Sequence, residues 1–130
     1  MRVVLADDQA WLRSAMRLLL EDESNIEVVG EARDVHTLLQ ETKALLPDLI
    51  LLDWELPGLS KPSERNRFIR LLHTDYPRIS IIALSVNSDA KSASLALGVD
   101  AFVNKAEPPE HLLAALQQIA QLDKCHPPSR

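Results

Sequence analysis

Short apolar runs recur five times along these 130 residues, and between them the apolar spacing switches from a strand period to a helix period. The runs are Val3 to Ala6, Ile26 to Gly30, Leu49 to Leu52, Ile79 to Leu84 and Ala101 to Val103. The first gap repeats at i, i+3, i+4 and i+7 through Leu12, Ala15, Met16 and Leu19. Val35, Leu38, Leu39 and Thr42, continuing to Leu45 and Leu46, do the same in the second. Phe68, Ile69 and Leu72 mark a third helix, and Ala90, Ala93 and Leu97 a short, weakly apolar fourth. The fifth, through Leu112, Ala115, Leu116 and Ile119, follows Pro108 and Pro109, which suit a helix start. Strands joined by helices run parallel, and a parallel sheet must be covered on both faces. Right-handed crossovers then leave a doubly wound five-stranded parallel α/β sheet, order 2-1-3-4-5, in three α/β/α layers. The second and fifth runs are the least continuous, as suits its edges.

At 46% hydrophobic the chain supports one domain with one real core, expected over residues 1–122. The remainder, DKCHPPSR (123–130), turns polar around a Pro-Pro pair and reads as a linker or tail. A formal net charge of -5 argues against direct contact with nucleic acid or an anionic membrane. The densest basic stretch, ERNRFIR (Glu64 to Arg70), reads as a solvated helix face. MRVVLADD reaches two acids after four apolar residues, so it lacks a signal-peptide core, and no run approaches the ~20 residues of a membrane span. Cys125 is the single cysteine, which fits a reducing compartment. The expected location is the cytoplasm.

One of the apolar runs ends where burial is costly: LILLDWELPG carries Asp53 directly after its core residues. In a parallel sheet all carboxyl ends share one edge, where ligand sites of open α/β sheets gather. Asp7 and Asp8 follow the first run, Asp53 the third, Ser85 the fourth and Lys105 the fifth. The expected strand order makes the first, third and fourth runs neighbours, so three carboxylates, a hydroxyl and an ammonium meet in one pocket. Three carboxylates resist joint ionisation, and a hard cation with oxygen ligands, Mg²⁺, removes the difficulty. With charge drawn off, Asp53 is suited to attack a phosphoryl group, whose oxygens the metal, Lys105 and Ser85 would bind. Plainer roles exist for each residue. Asp7 and Asp8 suit a helix cap, Asp53 a turn, Lys105 a structural ion pair, Ser85 a strand end and Phe102 the core. Trp54 is expected to lie partly exposed beside the pocket. His36, His73, His111 and His126 show no metal spacing and read as surface.

LADDQ, LLDWELPG, IIALSV and AFVNK, in this order on these elements, make the chain resemble the receiver domains of two-component response regulators from Arg2 to about Leu122. The ends of the pattern, IIALSV and KAEPPEHL, look most like receivers that precede a LuxR-type helix-turn-helix domain. The resemblance implies a flavodoxin-like (βα)5 fold. It also implies phosphorylation of Asp53 by a sensor histidine kinase and control of an output domain outside this sequence, with homodimerisation on phosphorylation a further expectation. Asp8, Asp53 and the backbone carbonyl of Glu55 would hold Mg²⁺, with Asp7 acting through water. Lys105 would pair with the acids, Ser85 would draw towards the phosphoryl oxygen, and Phe102 would repack as the aromatic part of the switch. Enzymatic turnover of a separate substrate is not expected.

Three departures stand out. Lys61 and Pro62 occupy the place of a usual glycine, in a segment before Phe68 that is a few residues long. Ser85 to Gly98 is short, which predicts a truncated or displaced fourth helix. Ala106 replaces the usual proline after the pocket lysine, and a cis bond there would cost ~2.5–4 kcal/mol, so a trans bond is expected. The alternatives are a pseudo-receiver that binds partners without phosphate, an Mg²⁺-dependent aspartyl phosphatase and a flavin binder. The last two fit less well: the candidate nucleophile follows the third strand rather than the first, and an acidic loop follows the first strand where a flavin phosphate needs donors.

Overall fold

The structure, a computed structural model, describes residues 1–125, and their side chains through Leu122. Five parallel strands form one sheet in the order β2-β1-β3-β4-β5, the expected topology. They are β1 (Arg2–Ala6), β2 (Glu27–Ala32), β3 (Leu49–Asp53), β4 (Ser80–Ser85) and β5 (Ala101–Asn104). The helices between and after them are α1 (Ala10–Glu21), α2 (Val35–Leu45), α3 (Pro62–Asp75), α4 (Ala90–Ala96) and α5 (Pro109–Cys125). β2 runs two residues beyond the expected Gly30. α5 continues past Leu122 to Cys125, into the segment read as linker, whose remainder (126–130) lies outside the described residues.

Strand alternation divides the core in two. Val4, Ala6, Ile50, Leu52, Ile81 and Ala83 face Leu38 of α2, Phe68, Ile69 and Leu72 of α3 and Ala90 of α4. Their strand neighbours Val3, Leu5, Leu49, Leu51, Ile82 and Leu84 face Met16 and Leu20 of α1 and Leu112, Leu116 and Ile119 of α5. Each apolar strand residue therefore has a layer to bury it, at ~25 cal/mol per Å² of apolar surface. β3, central and buried at all five positions, cannot slip by one residue without exchanging the two faces.

The long segment after β3 is structured. Leu56 and Leu59 are buried, and Pro62 occupies the first turn of α3, where its missing N–H is no loss. The Glu64 carboxylate accepts from the backbone N–H of Lys61 at 3.0 Å, so Lys61-Pro62 is a helix start. α4 has seven residues, as short as the sequence implied. No described peptide bond is cis, so Lys105–Ala106 is trans.

Candidate functional site at the carboxyl edge of the sheet

Registry brings the polar residues together. Ala6 pairs with Leu52, Asp53 with Leu84, and Ser85 with Asn104, so Asp7, Asp53, Ser85 and Lys105 all sit within a residue of the strand ends. Lys105 closes the group from β5: its Nζ lies 2.8 Å from Asp7 Oδ2 and 3.2 Å from Asp53 Oδ1. Asp7 is fully buried and its Oδ1 accepts from the backbone N–H of Gln9 at 2.9 Å. Asp53 is buried too, and its Oδ1 accepts from the backbone N–H of Glu55 at 3.0 Å. Asp8 is exposed. One oxygen from each of Asp7, Asp8 and Asp53 falls within 4.8 Å of the others.

A helix cap does not account for the acids. Gln9 is the N-cap of α1 and makes no side-chain cap bond. The electrostatics instead show an excess of carboxylate. Burial, the largest influence on Asp53, pushes its carboxyl above the ordinary range, and the neighbouring Asp7 charge adds to this. The Glu55 N–H and Lys105 oppose the rise without cancelling it. For Lys105 burial pulls downward, but the hydrogen bond to Asp7 and the charges of both acids raise its pKa overall. The ammonium is held charged while Asp53 carries a penalty for ionising. Hard carboxylate oxygens with one open side form a donor set suited to a small divalent cation.

Ser85 reaches the same edge, fully buried, but its hydroxyl is engaged elsewhere. Oγ donates to the Glu55 carboxylate, with 3.0 Å to each oxygen, and accepts from the Asn87 backbone N–H at 3.0 Å. Phe102, opposite Ala83, is half-buried and packs on the core face that holds Leu52 and Trp54.

Trp54 corrects the sequence reading: it is 1% exposed rather than partly exposed. Its backbone N–H donates to Leu84 O at 2.8 Å, which carries the strand alternation one residue past Asp53. Ile50, Leu52 and Trp54 therefore share one face, and Asp53 takes the parity of Leu49 and Leu51. The indole Nε1 is buried without a hydrogen-bond partner among the described residues. Arg65 covers the ring, its guanidinium carbon 5.2 Å from the centroid, while its Nε donates to Trp54 O at 3.1 Å. Arg65 also lies 3.8 Å from the Glu55 carboxylate.

Sequence reasoning missed Arg65 and the Glu55 side chain. Arg65 belongs to the stretch read as a solvated face. Arg67 and Arg70 fit that reading, whereas Arg65 turns inward with its side chain 19% exposed. Its place three residues before the core residue Phe68, on the same helix face, was the available signal. His36, His73 and His111 are exposed, as expected, and His126 lies outside the described residues.

Residues 3–117 match the family described as the response regulator receiver domain. The nitrate/nitrite response regulator protein NarL of Escherichia coli K12 is 31% identical over 118 residues, covering 91% of this chain and 54% of that protein. NarP of the same strain is 36% identical over 126 residues, covering 95% and 56%. The chain thus spans about half the length of these curated relatives. Among solved structures, the isolated REC domain of RcsB from Salmonella enterica serovar Typhimurium, in the presence of phosphomimetic BeF3⁻, superposes with a TM-score of 0.78 at 31% identity. That match covers 91% of this chain and 88% of that one.

Proposed function

Because the chain belongs to the response regulator receiver domain family, we propose that it accepts a phosphoryl group on Asp53 from a sensor histidine kinase and passes its state to an output domain. The supporting observation is the Lys105 ammonium bridging the buried Asp7 and Asp53 carboxylates, with an Asp8 oxygen inside the same 4.8 Å group. Asp53 Oδ1 takes the contacts from Lys105 and the Glu55 N–H. The carboxylate is therefore oriented, and its other oxygen is presented for attack. That oxygen bonds to phosphorus as the bond from phosphorus to the donor nitrogen breaks, leaving an acyl phosphate on Asp53.

Asp8, Asp53 and the Glu55 backbone carbonyl would hold Mg²⁺, with Asp7 acting through water. When bound, the ion neutralises the carboxylates and draws charge from the phosphoryl oxygens. Lys105 stays charged throughout and is placed to bind a phosphoryl oxygen alongside Asp53. Ser85 and Phe102 form the switch, in which phosphorylation shifts a conformational equilibrium. Similarity to RcsB, which has been solved bound to promoter rprA, supports a DNA-binding output domain in the whole protein. The resemblance of the sequence implies a helix-turn-helix type for that domain, with residues 1–122 as the receiver and the following residues leading towards it. Nucleic acid contact belongs to the output domain, and pairing of two phosphorylated receivers would assist it. Turnover is limited to the domain's own phosphorylation and dephosphorylation. A regulator of this kind works in the cytoplasm, and among the described residues no helix is long and apolar enough to cross a membrane.

Incubation with a small phosphodonor and Mg²⁺ adds one phosphoryl group by intact mass, and Asp53→Asn abolishes the addition. An unmodified wild type would instead favour a phosphate-independent interaction module, and sustained hydrolysis of phosphomonoesters a phosphatase.

A further inference from the structure

A serine that is to bind a phosphoryl oxygen needs its one hydroxyl proton free. In this structure the proton of Ser85 is committed: Oγ is 3.0 Å from both oxygens of the Glu55 carboxylate, and its acceptor side takes the Asn87 N–H. A hydrogen bond to a carboxylate is about twice as strong as a neutral one. Among the described residues no hydrogen bond joins Ser85 to Asp53; the serine is turned to the residue two places further on. Glu55 also has a cationic neighbour at hand. Arg65 lies 3.8 Å from Oε2, beyond close pairing, and is anchored by its bond to Trp54 O and by the indole face.

We propose that Glu55 is a positioning residue that holds the Ser85 hydroxyl away from the phosphoryl site in the resting protein, and that Arg65 receives the Glu55 carboxylate when the serine turns to the phosphoryl group. Two exchanges then occur together. Ser85 gives up one anionic acceptor for another, and Glu55 gives up a hydroxyl for a guanidinium. Because Arg65 rides on the first turns of α3, the exchange carries the state of the pocket to α3 as well as to the loop after β4. The short α4 leaves α3 as the longer helix on this side of the sheet that is tied to the pocket by side chains.

This inference rests on Asp53 being the phosphoryl acceptor, and the test separates the two. Beryllofluoride is titrated calorimetrically into the full chain with saturating Mg²⁺. Wild type binds and Asp53→Asn does not; failure of the wild type to bind overturns the acceptor assignment and this proposal with it. Glu55→Ala tightens binding about tenfold, the worth of one hydrogen bond to a charged group. In a Ser85→Ala background the same substitution changes affinity by less than about twofold, because no hydroxyl remains to be released. An unchanged affinity in Glu55→Ala overturns the restraint. So does an equal gain in both backgrounds, which would mean that Glu55 acts only through its charge. Arg65→Met weakens binding when Glu55 is present and has no effect beside Glu55→Ala; equal weakening in both removes Arg65 from the exchange.

Discussion

Replacing Lys105 by methionine isolates what one ammonium does for the acids around it. Its Nζ is 2.8 Å from Asp7 Oδ2 and 3.2 Å from Asp53 Oδ1, and the Asp7 side chain has no exposure at all. Removing one partner of a buried pair leaves an uncompensated charge, at a cost of roughly 3–5 kcal/mol. The Lys105 side chain is 16% exposed and Asp8 opens the group to solvent, so the low end applies, about 3 kcal/mol. For a chain of this size that is a fall of about 10–15 °C in Tm. The pH for the measurement follows from sign. The folded-state pKa of Lys105 is raised, so its contribution is complete below the ordinary lysine range and is lost only as pH rises through the raised value. Neutral pH therefore reads the whole effect. Thermal and urea unfolding of Lys105→Met in EDTA supplies the number. Mg²⁺ at a hundred times its Kd adds about 2.7 kcal/mol to either protein, and it binds the variant more tightly because no ammonium competes for the carboxylates. Asp7→Asn destabilises the wild type but recovers stability in Lys105→Met, with a coupling above about 1 kcal/mol. A Lys105→Met protein within about 1 kcal/mol of wild type in EDTA would refute the reasoning, since the buried acids would then need no partner.

Two further outcomes follow from the same geometry. The pKa of Asp53 is raised, so folding favours its protonated form and the ionised form opposes folding; stability held below pH 3.8 is lost as pH rises through the raised value. Asp53→Asn therefore stabilises the metal-free protein at neutral pH, with a gain that shrinks as pH falls towards 3.8, and urea midpoints across that range would contradict this if the gain were flat or negative. Gly58 has a φ of +100°, and a Cβ there would lie 2.8 Å from Val35 Cγ2 and 2.9 Å from Val35 Cβ. Gly58→Ala costs about 2 kcal/mol in urea unfolding, and an unchanged midpoint would show that this turn relaxes freely.

Sequence reading succeeded where order along the chain dictates position in space. Once five runs are strands and the gaps helices, crossover handedness places the first, third and fourth strand ends side by side, and the residue after each run inherits its place. Asp7, Asp53, Ser85 and Lys105 were legible for that reason alone. Trp54 was misjudged because apolar content stops at Leu52 while the ladder continues through the Trp54 N–H to Leu84 O. A strand ends where pairing ends, and composition does not report that. Arg65 and the Glu55 side chain were illegible for a related reason. Both act through long, rotatable side chains whose partners, Ser85 and the Trp54 ring, lie elsewhere in the chain and meet them only in the folded packing. The start of α3 sets which of its arginines faces the Trp54 ring, and Lys61-Pro62 marks that start only when Glu64 is seen folding back on the Lys61 N–H.

The excess of carboxylate at this edge is a local conflict that the rest of the fold maintains. Leu49 to Leu52 are fully buried between two apolar layers, so Asp53 cannot retreat into solvent without drawing β3 out of register. Asp7 is tied in the same way by Val3 to Ala6 and by its own N–H to Ala32 O at 3.0 Å. The cost of the unbalanced charge is thereby offset by burial elsewhere, and a bound cation would relieve it. A cation arriving there would act where Lys105, the Glu55 N–H and, one residue beyond Asp53, Trp54 are already fixed, beside contacts that reach β5, α3 and the loop after β4. A pocket built from these residues without the two covered faces would simply protonate or open. Held by them, the carboxylates keep their places and the excess charge remains at this edge.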